Sequence, residues 1–143
     1  MVRPQQLVEP APTYDGIDGM LADARSRLTR VTAQRAYALV AAGDALLVDI
    51  RPAAQRSAEG EVAADVGALV VERNVLEWRL DPRQDASLRV ADLGARVLVL
   101  CQEGYTSSLA ADSLQRIGVH RATDVIGGFR AWRAAGLPAT RAR

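Results

Sequence analysis

The chain has 143 residues, 49% of them hydrophobic, which is typical of a single globular domain. Its 18 positive residues nearly balance 17 negative ones, and this disfavours a nucleic-acid binder, because such proteins gather a basic excess on one face. Every positive residue is arginine, so lysine chemistry and a phosphate-binding P-loop are excluded.

The chain contains one cysteine, Cys101, and one histidine, His120. These counts exclude an intrachain disulfide and metal sites built from cysteine clusters or histidine pairs. No apolar run approaches the ~18 residues of a membrane-spanning helix, and the N-terminus lacks the apolar segment of a secretory signal. We therefore expect a cytoplasmic protein with a free thiol, no metal or other cofactor, and no membrane or nucleic-acid partner.

In chain order, residues 1–15 combine prolines with polar residues and predict a flexible arm. Helical apolar spacing predicts a helix over 17–28, within an N-terminal helical extension at 16–31. From residue 32 onward, helical patterns alternate with short apolar runs. The later predicted helices are 33–42, 73–80, 107–117 and a short one around 129–132, and the predicted strands are 45–50, 69–71, 96–101 and 122–126.

Strands that alternate with helices at these spacings predict an α/β fold. We expect a central, mostly parallel sheet of about five strands, flanked by helices on both faces, in a domain at 32–139. Phe129 and Trp132, three residues apart on one helix, are predicted to lie in the core. Trp78 is expected either to pack over the site or to anchor a partner, and packing is the favoured alternative.

Cys101 stands at the C-terminal end of a predicted strand, before a loop and a helix. Ligands of open parallel α/β sheets bind outside the carboxyl ends of the strands, and the N–H groups of a loop entering a helix would stabilise a thiolate there. Gly104 permits a tight turn, and Thr106 and Ser107 offer hydroxyl donors. The alternative is that Cys101 is a small buried hydrophobic residue, and this context alone leaves both interpretations open.

Three segments resemble signatures of the rhodanese family of sulfurtransferases, in the same order along the chain. The first resembles the family's strand that ends in Asp-x-Arg and reads Val48-Asp49-Ile50-Arg51. The second begins at Cys101, has glycine three residues later, and is similar to the family's active-site loop. The third, at 127–138, is similar to its terminal Gly-Gly-aromatic, Trp, Gly-x-Pro pattern. Over 32–138 the chain is therefore identified as a member of this family, a single-domain rhodanese.

The resemblance implies a double displacement in which the Cys101 thiolate becomes a persulfide. It takes a sulfane sulfur from thiosulfate, 3-mercaptopyruvate or a persulfide and passes it to a thiol, sulfite or cyanide acceptor. The resemblance further implies that the loop binds substrate. Two residues of the Asp-x-Arg motif are expected to support the site as an ion pair or as loop caps, and substrate contact is the less favoured alternative. The loop residues are Gln102, Glu103, Gly104, Tyr105, Thr106 and Ser107, and the supporting pair is Asp49 and Arg51.

The sequence departs from the family pattern in two places. The stretch at 60–65 lacks the histidine and the second glycine of the family's Gly-His-Ile-Pro-Gly-Ala segment. Gln102 and Glu103 occupy loop positions that are basic in thiosulfate-using members. A carboxylate there disfavours a dianionic donor, so thiosulfate is expected to be a poor donor unless a nearby arginine compensates. The candidates for this compensation are Arg51, Arg56, Arg73 and Arg79.

Two other functions compete with sulfur transfer. The first is a non-catalytic rhodanese-like binding or redox-sensing module, although inactive members of the family commonly lose the cysteine. The second is a cysteine-dependent phosphatase, which needs an arginine six residues after the cysteine to clamp phosphate. Ser107 occupies that position, and this disfavours a phosphatase. For partners, we expect the small-molecule substrates, with a homodimer or a sulfur-metabolism protein as further possibilities.

Overall fold

The computed structural model describes residues 9–141, so more than half of the predicted arm at 1–15 lies outside the described residues. The structure there contains six α-helices, four β-strands and two 3₁₀-helices. The α-helices are α1 (Ile17–Ser26), α2 (Ala33–Ala41), α3 (Ala53–Glu59), α4 (Leu76–Leu80), α5 (Thr106–Arg116) and α6 (Gly128–Ala134). The strands are β1 (Leu46–Asp49), β2 (Leu69–Val70), β3 (Val97–Leu100) and β4 (Thr123–Asp124), and the 3₁₀-helices are Ala64–Val66 and Arg73–Val75.

The four strands form one parallel sheet in the order β2-β1-β3-β4. β1 and β3 pair over their whole length, with Leu46 opposite Val97 and Asp49 opposite Leu100. Parallel strands all end at the same edge of a sheet, and ligands of such folds bind beyond that edge. Asp49, the last residue of β1, and Cys101, the residue after β3, therefore lie at one edge.

The sheet formed by residues 9–141 has four strands, close to the expected number of about five. Val31 makes a single parallel bridge to Val125 without extending into a strand. The reason is local: the Thr32 hydroxyl oxygen accepts a hydrogen bond from the Arg35 N–H at 3.1 Å and caps α2. The chain therefore turns into a helix immediately after Val31.

Helices cover both faces of the sheet, as predicted. The four residues of β3 are buried, and their side chains alternate between two apolar clusters. Val97 and Val99 pack in the cluster that contains residues of α4 and α5. Leu98 and Leu100 pack in the cluster that contains residues of α2 and α6. A strand buried on both faces is continuously apolar, and this places β3 in the centre of the domain.

The aromatic residues of α6 lie in the core, and the aromatic residue of α4 does not. Phe129 and Trp132 are 1% and 0% exposed, which confirms the prediction for this helix. Trp78 is 55% exposed, so the expectation that it packs against the domain is wrong. A helix as short as α4 turns one face to the core, and Leu76 and Leu80 occupy that face.

The N-terminal helix α1 packs on α5. The Arg27 Nε, one residue beyond α1, donates to the Asp112 carboxylate of α5 at 2.7 Å. The longest helix in the described part of the chain is α5, with 11 residues, and none of the helices there could span a bilayer.

Candidate active site

Cys101 follows β3 directly and opens the loop that leads into α5. The residue is 4% exposed, and its Sγ accepts a hydrogen bond from the Gly104 N–H at 3.2 Å. Gly104 has φ +84°, and a Cβ at this position would come within 2.7 Å of the Gly127 nitrogen. The loop therefore folds back over the sulfur only because this position is glycine.

The segment that follows β4 supports the loop through its backbone. The Phe129 N–H donates to the Cys101 carbonyl at 2.8 Å, and the Arg130 N–H donates to the Gln102 carbonyl at 3.0 Å. Gly128 has φ +59°, and a Cβ there would strike the Cys101 carbonyl and lie 2.7 Å from the Gln102 carbonyl carbon. The second glycine of the Gly-Gly-aromatic motif thus lets two backbone segments meet.

Arg51 is buried, and its guanidinium is fully engaged with protein groups. Its Nε and Nη2 donate to the Asp49 carboxylate at 3.0 and 2.8 Å, and Nη2 also donates to the Gly60 carbonyl at 3.0 Å. Its Nη1 donates to the Gln102 side chain at 3.1 Å and to Glu59 at 3.4 Å. A guanidinium has five N–H groups, and these contacts use all of them. The Asp49–Arg51 pair therefore ties β1 to the loop.

An open cavity of about 420 Å³ lies at the carboxyl edge of the sheet and is lined in part by Cys101. Its volume is within the range of sites that hold small organic molecules. Four more of the predicted loop residues line it, namely Gln102, Glu103, Tyr105 and Thr106. The other lining residues come from the segment after β1, from α3 and from the 3₁₀-helix after β2: Ile50, Arg51, Pro52, Gln55, Glu59 and Arg73.

Ser107 lies at the start of α5 but does not line this cavity. Its hydroxyl donates to the Asp124 carboxylate at 2.7 Å, and the Ser108 hydroxyl donates to the same oxygen at 2.7 Å. A hydroxyl has one proton to donate. The structure thus places the Ser107 donor on a buried carboxylate instead of beside the sulfur.

Two arginines that precede α2 also contact the loop. The Arg25 Nη2 and the Arg30 Nη2 both donate to the Gly104 carbonyl, at 2.7 and 3.0 Å. Arg30 also forms an ion pair with Asp124 at 2.8 Å. The Gly104 residue, whose N–H contacts the sulfur, is therefore held through its carbonyl as well.

Asp124, Arg25 and Arg30 were missed as site residues by the sequence analysis. Asp124 carried a usable signal, because an acidic residue inside a predicted buried strand needs partners. The two arginines carried none, since basic residues in and near an exposed helix ordinarily face solvent.

Charge at the mouth of the cavity is mixed. Glu103 is half-exposed and lies 3.6 Å from Arg130. Arg73 forms an ion pair with Glu77 at 2.8 Å. Burial acts to raise the pKa of Glu77, but hydrogen bonds from Ser113, its own backbone and Arg73 outweigh it and lower the pKa.

Among residues 9–141, no three His, Cys, Asp or Glu side chains are grouped as a metal site requires.

The chain belongs to the rhodanese-like domain family. The model of the rhodanese-like domain matches residues 32–135. This range contains all four strands and the Cys101 loop, whereas α1, Arg25 and Arg30 precede it.

Relatives of the chain include sulfurtransferases. It is 36% identical over 87 residues to the adenylyltransferase and sulfurtransferase MOCS3-2 of Zea mays. That match covers 61% of this chain and 17% of the maize protein, so the chain spans a small part of this relative's length.

Two solved structures resemble the whole domain. A protein of unknown function from Rhodopseudomonas palustris CGA009, described as a possible tyrosine phosphatase, has TM-score 0.78 and 30% identity, with 93% of this chain and 100% of that chain covered. The homodimeric polysulfide-sulfur transferase of Wolinella succinogenes has TM-score 0.65 and 26% identity, with 85% and 84% covered.

Proposed function

We propose that this protein is a sulfurtransferase that carries sulfur on Cys101 as a persulfide. One observation carries the proposal: the Cys101 Sγ accepts the Gly104 N–H at 3.2 Å, in a loop at the carboxyl edge of the sheet that lines an open cavity. An N–H aimed at sulfur stabilises the anionic forms that the reaction passes through. Membership of the rhodanese-like family and sulfurtransferase relatives support the same function.

The reaction has two displacements. In the first, the Cys101 thiolate attacks the outer sulfur of a donor R–S–SH, the donor's S–S bond breaks, and R–S⁻ leaves with the electron pair. With thiosulfate, the leaving group is sulfite; with 3-mercaptopyruvate, the bond that breaks is C–S, and pyruvate leaves as its enolate with the electron pair. In the second, an acceptor thiolate, sulfite or cyanide attacks the outer sulfur of the persulfide, and the Cys101 thiolate is released. With cyanide the products are thiocyanate, the thiolate and a proton.

A phosphatase is the less favoured function, although one structural relative is described as a possible tyrosine phosphatase. Phosphate clamping needs a guanidinium six residues after the cysteine. Ser107 occupies that position, and its hydroxyl is bonded to the buried Asp124. The cavity's buried Arg51 is engaged by protein groups. We therefore favour sulfur over phosphoryl chemistry.

The thiol must be reduced to act, so we propose the cytoplasm as the compartment. A binding or redox-sensing module remains the competing function. It predicts that Cys101 reacts with peroxide but never takes up a sulfane sulfur.

Intact-mass measurement tests the proposal. Wild type and Cys101→Ser are incubated with thiosulfate, 3-mercaptopyruvate or glutathione persulfide and then treated with cyanide. We expect wild type alone to gain the mass of one sulfur and to lose it to cyanide as thiocyanate. If no donor adds sulfur to wild type, the proposal is wrong, and peroxide reactivity then identifies the sensing module.

A further inference from the structure

We infer that Arg73 determines donor specificity by binding a carboxylate on the donor, so that the preferred donor is an organic sulfane compound with one carboxylate. The inference rests on the proposed function. Two arginines, Arg51 and Arg73, line the cavity together with Cys101. They differ in how much of the guanidinium is free.

Arg51 has no capacity for a ligand. Its side chain is 1% exposed, and its five N–H groups are all directed at protein acceptors. Moving any of them to a substrate would break a buried or partly buried hydrogen bond to the protein.

Arg73 has that capacity. Its side chain is 39% exposed, and both of its hydrogen bonds to Glu77 leave from Nη1, at 2.8 and 2.9 Å. Within the described range 9–141, its Nε and Nη2 make no hydrogen bond, and these two nitrogens form one edge of the planar guanidinium. Such an edge matches a carboxylate in a two-point contact.

The distance across the sheet selects an organic donor. Arg73 follows β2, and Cys101 follows β3, with β1 between the two strands. Two strand spacings amount to about 10 Å. A donor with a few atoms between its outer sulfur and its carboxylate can bridge the sulfur of Cys101 and the guanidinium of Arg73.

The remaining charges of the cavity disfavour a small dianion. The other ionised side chains that line it, Glu59 and Glu103, are acidic. A compact dianion at the sulfur would be repelled by these carboxylates. Within residues 9–141, the open edge of the Arg73 guanidinium is the one positively charged group of the lining that could offset this repulsion. A single carboxylate held at a distance from the reacting sulfur avoids that repulsion.

A pair of donors that differ in one charge tests this inference. The persulfides of 3-mercaptopropionate and 3-mercaptopropanol have the same chain length, but only the first has a carboxylate. Persulfide formation on Cys101 is measured for each by intact mass under second-order conditions. We expect wild type to react about tenfold or more faster with the carboxylate donor, as a charge-assisted contact implies.

Three variants test whether Arg73 causes the preference for the carboxylate donor. Arg73→Gln should lose most of it, because it slows the carboxylate donor much more than the alcohol donor. Glu77→Gln removes the ion pair but keeps the guanidinium, so the preference should be kept or rise. Arg79→Gln is the matched control, since Arg79 donates to the Ala86 carbonyl and does not line the cavity. Its preference should be unchanged.

The outcomes separate the two proposals. If Arg73→Gln keeps the wild-type ratio, or if wild type shows no preference, the inference is overturned while sulfur transfer stands. If neither donor adds sulfur to wild type, the proposed function itself fails.

Discussion

Asp124 is a fully buried carboxylate behind the Cys101 loop. It accepts hydrogen bonds from Ser107 and Ser108 and pairs with Arg30. A buried charge is tolerated when it is paired and hydrogen-bonded, and removing one member of such a group leaves the others unsatisfied. Asp124 therefore contributes to stability and to the position of the loop.

Replacing this carboxylate gives a first prediction. Asp124→Asn should lower the free energy of unfolding by about 3 kcal/mol. The carboxylate accepts hydrogen bonds from Ser107, Ser108 and Arg30, and the NH₂ group of an amide cannot accept them. Urea denaturation measures the change. Asp65→Asn, at an exposed position of a 3₁₀-helix, is the control and should change stability by less than about 0.5 kcal/mol. A loss below about 1 kcal/mol for Asp124→Asn would contradict this account.

Substitutions at two glycines distinguish the free-energy cost of backbone strain from that of steric contact. Gly128 and Gly136 have φ +59° and +71°, but only Gly128 faces other atoms within 4 Å of an added Cβ. Gly136→Ala should cost about 1–2 kcal/mol from the left-handed backbone alone and leave sulfur loading unchanged. Gly128→Ala should cost clearly more and slow sulfur loading, because it displaces the carbonyls of the Cys101 loop. Equal unfolding free energies for the two variants would refute the contact.

At the scale of elements, α1 contacts the loop of the candidate site although it precedes the matched domain. Arg25 on α1 donates to the Gly104 carbonyl and to the Ser108 hydroxyl, at 2.7 and 3.0 Å. α1 also packs along α5, which begins at the loop's end. The helix therefore helps to hold the loop in place.

Arg25→Ala tests this support. We expect persulfide formation on Cys101 to slow about tenfold, the equivalent of losing one charged hydrogen bond, because the Gly104 peptide loses one of its anchors. Arg121→Ala is the control, since Arg121 also donates to a carbonyl, that of Gly94, but at the surface. Equal loading rates for the two variants would show that α1 does not position the loop.

The link between α1 and α5 should depend on pH. Hydrogen bonds from Arg27 and Tyr14 lower the pKa of Asp23 to about 2, from 3.8. A hydrogen bond from Arg27 likewise lowers the pKa of Asp112, although burial opposes it. A carboxyl with a lowered folded-state pKa stabilises the fold above its unfolded pKa, and this stabilisation disappears as pH falls through the folded value.

We therefore compare the free energy of unfolding of wild type and Asp112→Asn between pH 6 and pH 2. The difference in the free energy of unfolding between the two proteins should be full above about pH 4 and should narrow as the pH falls below that value. Arg121→Ala, which removes a surface hydrogen bond to the Gly94 carbonyl and, within residues 9–141, no contact with a carboxyl group, is the control, and its difference from wild type should not change with pH. A gap for Asp112→Asn that is independent of pH would contradict the ion-pair assignment.

At the scale of the whole molecule, the elements that the sequence predicted well are those with strong local patterns. β3 is a run of consecutive apolar residues, and α6 has two aromatics three residues apart, and both were found where predicted. The sheet has one strand fewer than the expected number of about five, and Trp78 is exposed where packing was favoured. Both outcomes depend on how much of a short segment meets the rest of the fold, which a local pattern does not encode.

The sequence by itself determined the α/β class, the family and the position of Cys101 at the end of a central strand, because periodicity and motif order are written along the chain. Only the tertiary structure decided which groups meet at the site. Arg25 and Gly104 are 79 residues apart in sequence, and Arg30 and Asp124 are 94 apart. Folding also directs all five N–H groups of the Arg51 guanidinium at protein acceptors, whereas the Nε and Nη2 of Arg73 make no hydrogen bond within residues 9–141. Contacts between such distant segments depend on the packing of the whole sheet and its helices, and no local pattern specifies them.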